Sequence, residues 1–177
     1  MSRIFPSIIA AMALVGGQAL AAEVLIPVNA IDSGGVGAPI GTIKATDTGK
    51  GMMVTPRLAG LVPGPHGFHI HENPSCAPKE QDGKPVAGLS AGGHYDPRKS
   101  GRHDGPWGGG HMGDLPALAV NGDGTASDAV LASRLKVADL MGRSVVIHAG
   151  ADNYSDQPKP LGGGGARVAC GVVPAMK

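Results

Sequence analysis

Aromatic residues are nearly missing. One tryptophan, two tyrosines and two phenylalanines are all that 177 residues supply. A chain with so few rings has no stacking platform for single-stranded nucleic acid. Charge of either sign is scarce too, at 16% of residues, and the net charge is +1. That balance leaves no basic footprint for a phosphate backbone, so nucleic-acid partners are excluded. No phosphate- or dinucleotide-binding glycine motif is present. The run Gly162 to Gly165 has no Lys-Ser/Thr after it and no helical continuation. Beyond the first residues no apolar stretch is long enough to span a membrane. No segment keeps a helical period over three turns, and no repeat occurs.

Glycine and proline are plentiful instead, 30 and 15 residues, while hydrophobic residues still make up 42%. Tight turns with enough apolar side chain for a core point to one β-rich domain with long ordered loops. The N-terminus reads as a secretory signal. Arg3 is its positive start, Ile4 to Val15 its apolar centre, and Ala19-Leu20-Ala21 an A-x-A cleavage site. Residues 1–22 are therefore expected to be removed, leaving 23–177 as a single domain in the periplasm. Cys76 and Cys170, the only cysteines, are expected to form a disulfide in that oxidising compartment.

Alternating apolar residues predict strands at Glu23 to Ala30, Pro39 to Asp47, Met52 to Leu58 and Gly67 to His71. Pro116 to Val120 and Thr125 to Leu131 flank Asn121-Gly122-Asp123-Gly124, a hairpin signal. Ser144 to His148 and Ala166 to Val173 complete the set. About eight short strands of this kind make an antiparallel sandwich or barrel with Greek-key connections. Two long stretches, Glu72 to Gly113 and Ala149 to Gly165, show no regularity. A structureless stretch of that length is expected only where function pins it.

The histidines supply the pin. There are seven: His66, His69, His71, His94, His103, His111 and His148. His69 and His71 are two apart in a strand, so both rings point to one face. His148 ends another strand. His94, His103 and His111 recur at intervals of nine and eight, and Asp114 follows by three. A carboxylate with loop imidazoles suits a closed zinc site. Strand-held imidazoles suit copper, zinc, iron or nickel. Two metal sites are expected, one on rigid strands and one tying down the loop. A zinc hydrolase with an open metal position and a copper-binding protein without turnover are the competing readings. The first has no use for a shared imidazole. The second favours clustered Met and Cys ligands, which are not present.

Several stretches resemble copper,zinc superoxide dismutase of the exported bacterial type. They are Gly67-Phe68-His69-Ile70-His71-Glu72 with Cys76, Gly92-Gly93-His94-Tyr95-Asp96-Pro97, His111-Met112-Gly113-Asp114-Leu115 and Gly162 to Gly171. The resemblance covers nearly all of the chain beyond residue 22, in the same order. It implies an eight-stranded antiparallel Greek-key barrel, an immunoglobulin-like sandwich, with one copper and one zinc per subunit. It also implies superoxide as the substrate. Carried over by motif, copper falls to His69, His71, His94 and His148. Zinc falls to His94, His103, His111 and Asp114, with His94 shared. Asp152 is implied as the carboxylate linking a copper histidine to a zinc histidine, Arg167 as the catalytic arginine at the copper mouth, and His66 as a non-ligand. Trp107, in Gly105-Pro106-Trp107-Gly108, resembles a Pro-Trp of exported dimers, so a homodimer is expected.

Overall fold

The computed structural model describes residues 21–175, and the expected signal segment falls almost wholly outside them. Eleven short strands form the fold: β1 (Glu23–Asp32), β2 (Gly35–Thr48), β3 (Gly51–Leu58), β4 (Gly64–His66), β5 (Phe68–His71), β6 (Lys79–Gln81), β7 (Lys84–Val86), β8 (Leu118–Val120), β9 (Val130–Ala132), β10 (Ser144–His148) and β11 (Arg167–Val172). Seven make one antiparallel sheet in the order β5-β10-β11-β1-β2-β3-β9, and β4 pairs with β8. The curled sheet is half of a barrel. Closure comes from isolated antiparallel bridges, Leu58 with Ala126 and His69 with Asp114.

The ladder follows the pattern of side chains. In β1, Val24, Ile26 and Val28 are buried while their neighbours face out, as a two-residue period requires. β5 and β10 differ, because every residue in each is buried. Phe68 and Ile70 of β5 and Val145 and Ile147 of β10 enter the main core. Their alternate residues, His69, His71 and His148, must therefore face the other side, where the loops cover them. Register aligns Val146 with His69 and Ser144 with His71, and His148 with Arg167.

Two expectations need correction. Asn121 to Gly124 does form a tight turn, with Asn121 N–H donating to Thr125 O at 2.8 Å. Its flanks do not pair with each other, since β8 joins β4 and β9 joins β3. The turn carries the chain between sheets, because the pairing edges of β3 and β4 are the ones left open. The stretch Glu72 to Gly113 is also less irregular than expected. It holds the exposed β6–β7 hairpin around Asp82-Gly83 and a 3-10 turn at Leu89–Ala91.

Cys76 and Cys170 form the expected disulfide, with Cα atoms 5.7 Å apart. It sits in a second small core with Ile31, Ala91 and Val146. Closing a loop of 94 residues stabilises by about 4–5 kcal/mol in the chain-entropy model. The bond fastens the start of the long loop to β11.

Candidate metal centre

Four imidazoles converge on the outer side of β5 and β10. One donor atom from each of His69, His71, His94 and His148 lies within 4.8 Å of the others. A second group, within the same limit, is His69, His94, His103 and Asp114. All of these side chains are buried. His69 and His94 belong to both groups, and for His94 its two nitrogens explain how. Nδ1–H donates to Asp114 Oδ1 at 2.9 Å, while Nε2 is buried without a partner. One ring thus offers a nitrogen to each side. His111 stands at the edge of the second group, with Nδ1 3.5 Å from Asp114 Oδ1.

Ten buried side-chain polar atoms among the described residues have no hydrogen-bond partner. Seven of them belong to this cluster: His69 Nδ1, His71 Nε2, His94 Nε2, His103 Nδ1, His111 Nδ1, His148 Nε2 and Asp114 Oδ2; of these, His103 Nδ1 and Asp114 Oδ2 lie 3.0 Å apart and face each other as an ion pair. Leaving His69 Nδ1, His71 Nε2, His94 Nε2 and His148 Nε2 unpaired costs about 1–3 kcal/mol each, unless a metal ion takes them. The rings' other nitrogens are already fixed. His69 Nε2–H donates to Asp152 Oδ2 at 2.7 Å and His103 Nε2–H to Asp152 Oδ1 at 2.8 Å. His71 Nδ1–H donates to Gly92 O at 3.0 Å, and His148 Nδ1–H to Gly165 O at 3.1 Å. Fixing the far nitrogen sets the tautomer and aims the near one. Both a copper-type nitrogen set and a zinc-type nitrogen–carboxylate set fit these donors.

Asp152 spans the two groups. Gly162, at φ 71, lies so close that a Cβ there would run into Asp152 and His103. Glycine is required on both counts. The expected non-ligand, His66, is satisfied by backbone: its nitrogens meet His148 O and Val62 O at 2.7 Å each. Arg167 reaches from β11 to the loop, donating to Gly88 O at 2.6 Å and Gly92 O at 2.7 Å. It therefore shares Gly92 O with His71. No carboxylate among the described residues pairs with it.

Charge divides the cluster. Burial, with the neighbouring rings adding to it, pushes His69 down to about 3 and His71 well below the ordinary histidine value. Burial also lowers His94, and takes His148 down to about 4. Neutral imidazole is the form that binds metal. His103 goes the other way: burial opposes its charge, but Asp114 and Asp152 prevail and raise it to about 9. Both carboxylates, against the opposing effect of burial, are held well below the usual range by their histidine partners.

Residues 40–173 match the family described as copper/zinc superoxide dismutase (SODC). This chain belongs to that family. It is 52% identical over 174 residues to a superoxide dismutase [Cu-Zn] of Escherichia coli (strain K12), a match covering 98% of this chain and 99% of the relative. The solved Cu/Zn superoxide dismutase from Brucella abortus is 49% identical, with a TM-score of 0.85 over 86% of this chain and all of the other. A solution structure from Salmonella enterica is 52% identical, with a TM-score of 0.78 over the same shares. The chain is a superoxide dismutase that uses copper and zinc. Two superoxide anions and two protons give dioxygen and hydrogen peroxide. Among the described residues no helix is long and apolar enough to cross a membrane.

The residues that sequence reasoning missed act through the backbone. Gly92 O and Gly165 O orient two rings, and a carbonyl carries no mark in a sequence. Asp156 accepts the His103 backbone N–H at 2.8 Å. One aspartate among the fourteen acidic residues gives no signal until the fold brings it there.

Proposed function

We propose that His69, His71, His94 and His148 hold copper, and that His94, His103, His111 and Asp114 hold zinc, with His94 shared. The observation that carries this is the set of seven converging buried donor atoms, unpartnered except for the His103–Asp114 pair, which divides around the two nitrogens of His94. Copper when bound supplies the one-electron redox change, which zinc cannot. His94 Nε2 is the atom at which a proton can be held beside the substrate. Asp152 orients His69 and His103 together. Arg167 is the catalytic arginine: its guanidinium, fixed by Gly88 O and Gly92 O, presents positive charge and directed donors to a small anion.

Metal analysis of the mature protein should find one copper and one zinc per chain, and superoxide consumption should require the copper. Protein that holds zinc alone after copper loading would sink this assignment.

The mature chain is read as residues 23–177, one domain, in the periplasm. The signal pattern of residues 1–22 and the Cys76–Cys170 disulfide support that reading. Protein from a periplasmic extract should begin at Ala22 or Glu23 by mass spectrometry. A homodimer is the assembly read from Trp107, which is 69% exposed and stands edge-on to Tyr154, ring centroids 5.6 Å apart. The Salmonella enterica relative is described as monomeric. Sedimentation of the parent and of Trp107→Ala decides: a monomer for both rules the dimer out.

A further inference from the structure

Arg134 sits in the turn after β9, at the opposite edge of the main sheet from β5. Its guanidinium reaches into the loop between His103 and Asp114. Nε–H donates to Pro106 O at 2.9 Å. Nη1 donates to Gly108 O at 2.8 Å and to Gly110 O at 3.3 Å. Nη2 donates to Gly105 O at 2.9 Å and to His111 O at 2.7 Å. A guanidinium has five N–H groups, and all five are spent on one stretch, residues 105–111.

That stretch has no strand or helix to hold it. Two backbone N–H groups bond outside Arg134's reach: His111 N–H to Arg102 O at 3.1 Å and Gly109 N–H to Asp104 Oδ2 at 2.8 Å. Carbonyls in a buried loop need donors, and here one side chain supplies them. Three of the five accepting positions are glycines. At Gly110 a Cβ would press on the backbone of Arg102 and Asp104, so the loop is wound tightly on its own start. The consequence reaches the donor group, because His111 is itself one of the five acceptors and Asp114 lies three residues on. The other end of the ligand loop is pinned to β5 through the His69–Asp114 bridge. The ligand loop is thus held between the two ends of the sheet.

We infer that Arg134 is the positioning residue of the loop-held metal site: it replaces secondary structure in residues 105–111 and so sets where His111 stands relative to His103 and Asp114. This rests on the zinc assignment above. Lysine substitutes only in part, since an ammonium has three donors on a flexible stem and no planar fork.

The test uses copper- and zinc-loaded mature protein, with parent, Arg134→Lys, Arg134→Gln and His111→Ala compared. Transfer of zinc to a colorimetric chelator should be about 10–100-fold faster in Arg134→Gln, the range for losing a ligand's supporting hydrogen bonds. Arg134→Lys should fall between, and copper should be retained. Cobalt(II) placed in the zinc position should lose the strong visible absorption of a tetrahedral site in Arg134→Gln. A merely structural arginine would lower the unfolding temperature of metal-free protein, release both metals in proportion and leave the cobalt spectrum of the bound fraction as in the parent. That outcome overturns the inference, as does zinc transfer within two-fold of the parent in both arginine variants. His111→Ala separates the two layers. If it abolishes the cobalt absorption while the arginine variants behave as parent, only the role of Arg134 fails. If it too leaves cobalt unchanged, the zinc assignment fails with it. Should Arg134→Gln not fold, Arg134→Lys alone carries the measurement.

Discussion

The two halves of the metal centre are built by opposite means. His69, His71 and His148 stand on β5 and β10, whose apolar residues fill the two cores. Their positions are fixed by the same ladder and packing that hold the fold together. His103, His111 and Asp114 stand on a stretch without regular structure, held by side-chain hydrogen bonds to backbone. The first half keeps its imidazoles neutral, with Asp152 against His69 alone. The second sets His103 between two carboxylates, Asp114 and Asp152. A redox metal gains from a fixed site, whereas a structural metal can organise a loop while binding.

His94→Ala should break this division most completely, because the ring serves both halves. Dismutation should fall by at least the roughly 100-fold seen at the upper end for mere supporting residues, with both metals disturbed together. Metal analysis showing only one site affected would mean that His94 is not shared. Asp152→Asn should come next. It keeps the residue's shape but loses the charge that faces His69 and His103, so affinity at both sites should drop about 10–100-fold. Competitive chelator titrations of copper and zinc would measure it, and a loss confined to one metal would place Asp152 wholly in one half.

Arg167→Ala acts on the strand side alone. Superoxide consumption should fall roughly ten-fold, the lower end of steering effects, with metal content intact. The parent rate should decline with salt, since exposed charges are screened over about 8–10 Å, and the decline should flatten in the variant. Full activity with an unchanged salt response would leave Arg167 an ordinary strand arginine, with Lys159 the next candidate.

The subtlest difference is in pH, measured on chelator-treated protein. Unfolded histidines bind protons below about 6.5. His69 and His148 in the fold resist protonation down to about 3 and 4. The unfolded chain therefore binds more protons in that window, and the stability from the strand half is lost as pH falls below 6.5. His103 keeps its proton up to about 9, so its contribution is complete below 6.5 and lost as pH rises from there to 9. Asp114 and Asp152 contribute above the ordinary carboxylate range and lose that contribution below it. Denaturation midpoints against pH should peak between the two limbs. Asp114→Asn should shrink the alkaline fall and leave the limb between 6.5 and 4 in place. If the variant moves both limbs alike, the halves are not electrostatically separate.

The same contrast explains what could be read from the sequence. Strand-held donors were legible because a two-residue period converts spacing into a shared face: His69 and His71 needed no more than that. The loop-held donors were legible by residue type and by family resemblance, while the interactions that place them were not. Arg134 is one arginine after a short strand, and nothing nearby in sequence marks it as the partner of residues 105–111. The hairpin expected around Asn121 failed for a related reason. Local turn chemistry was right, but the choice of strand partners is made by open sheet edges far away. The β6–β7 hairpin was missed although Asp82-Gly83 is a turn signal, because its strands are three residues each and fully exposed, with no apolar alternation to read.

Asp152 carries a further consequence. One carboxylate grips a ring from each half, 2.7 Å from His69 and 2.8 Å from His103, so filling of one half is expected to act on the other. Whatever occupancy of one position does to affinity at the other must be returned in equal measure, since coupling free energy has no direction. If zinc stills the loop, steadies Asp152 and thereby squares His69 for copper, then copper loaded first must tighten zinc by the same factor. Reconstitution by either order of addition thus ends at one state with one total affinity, and only the intermediate differs. A cell that delivers the scarcer ion last would inherit a site already drawn into shape for it.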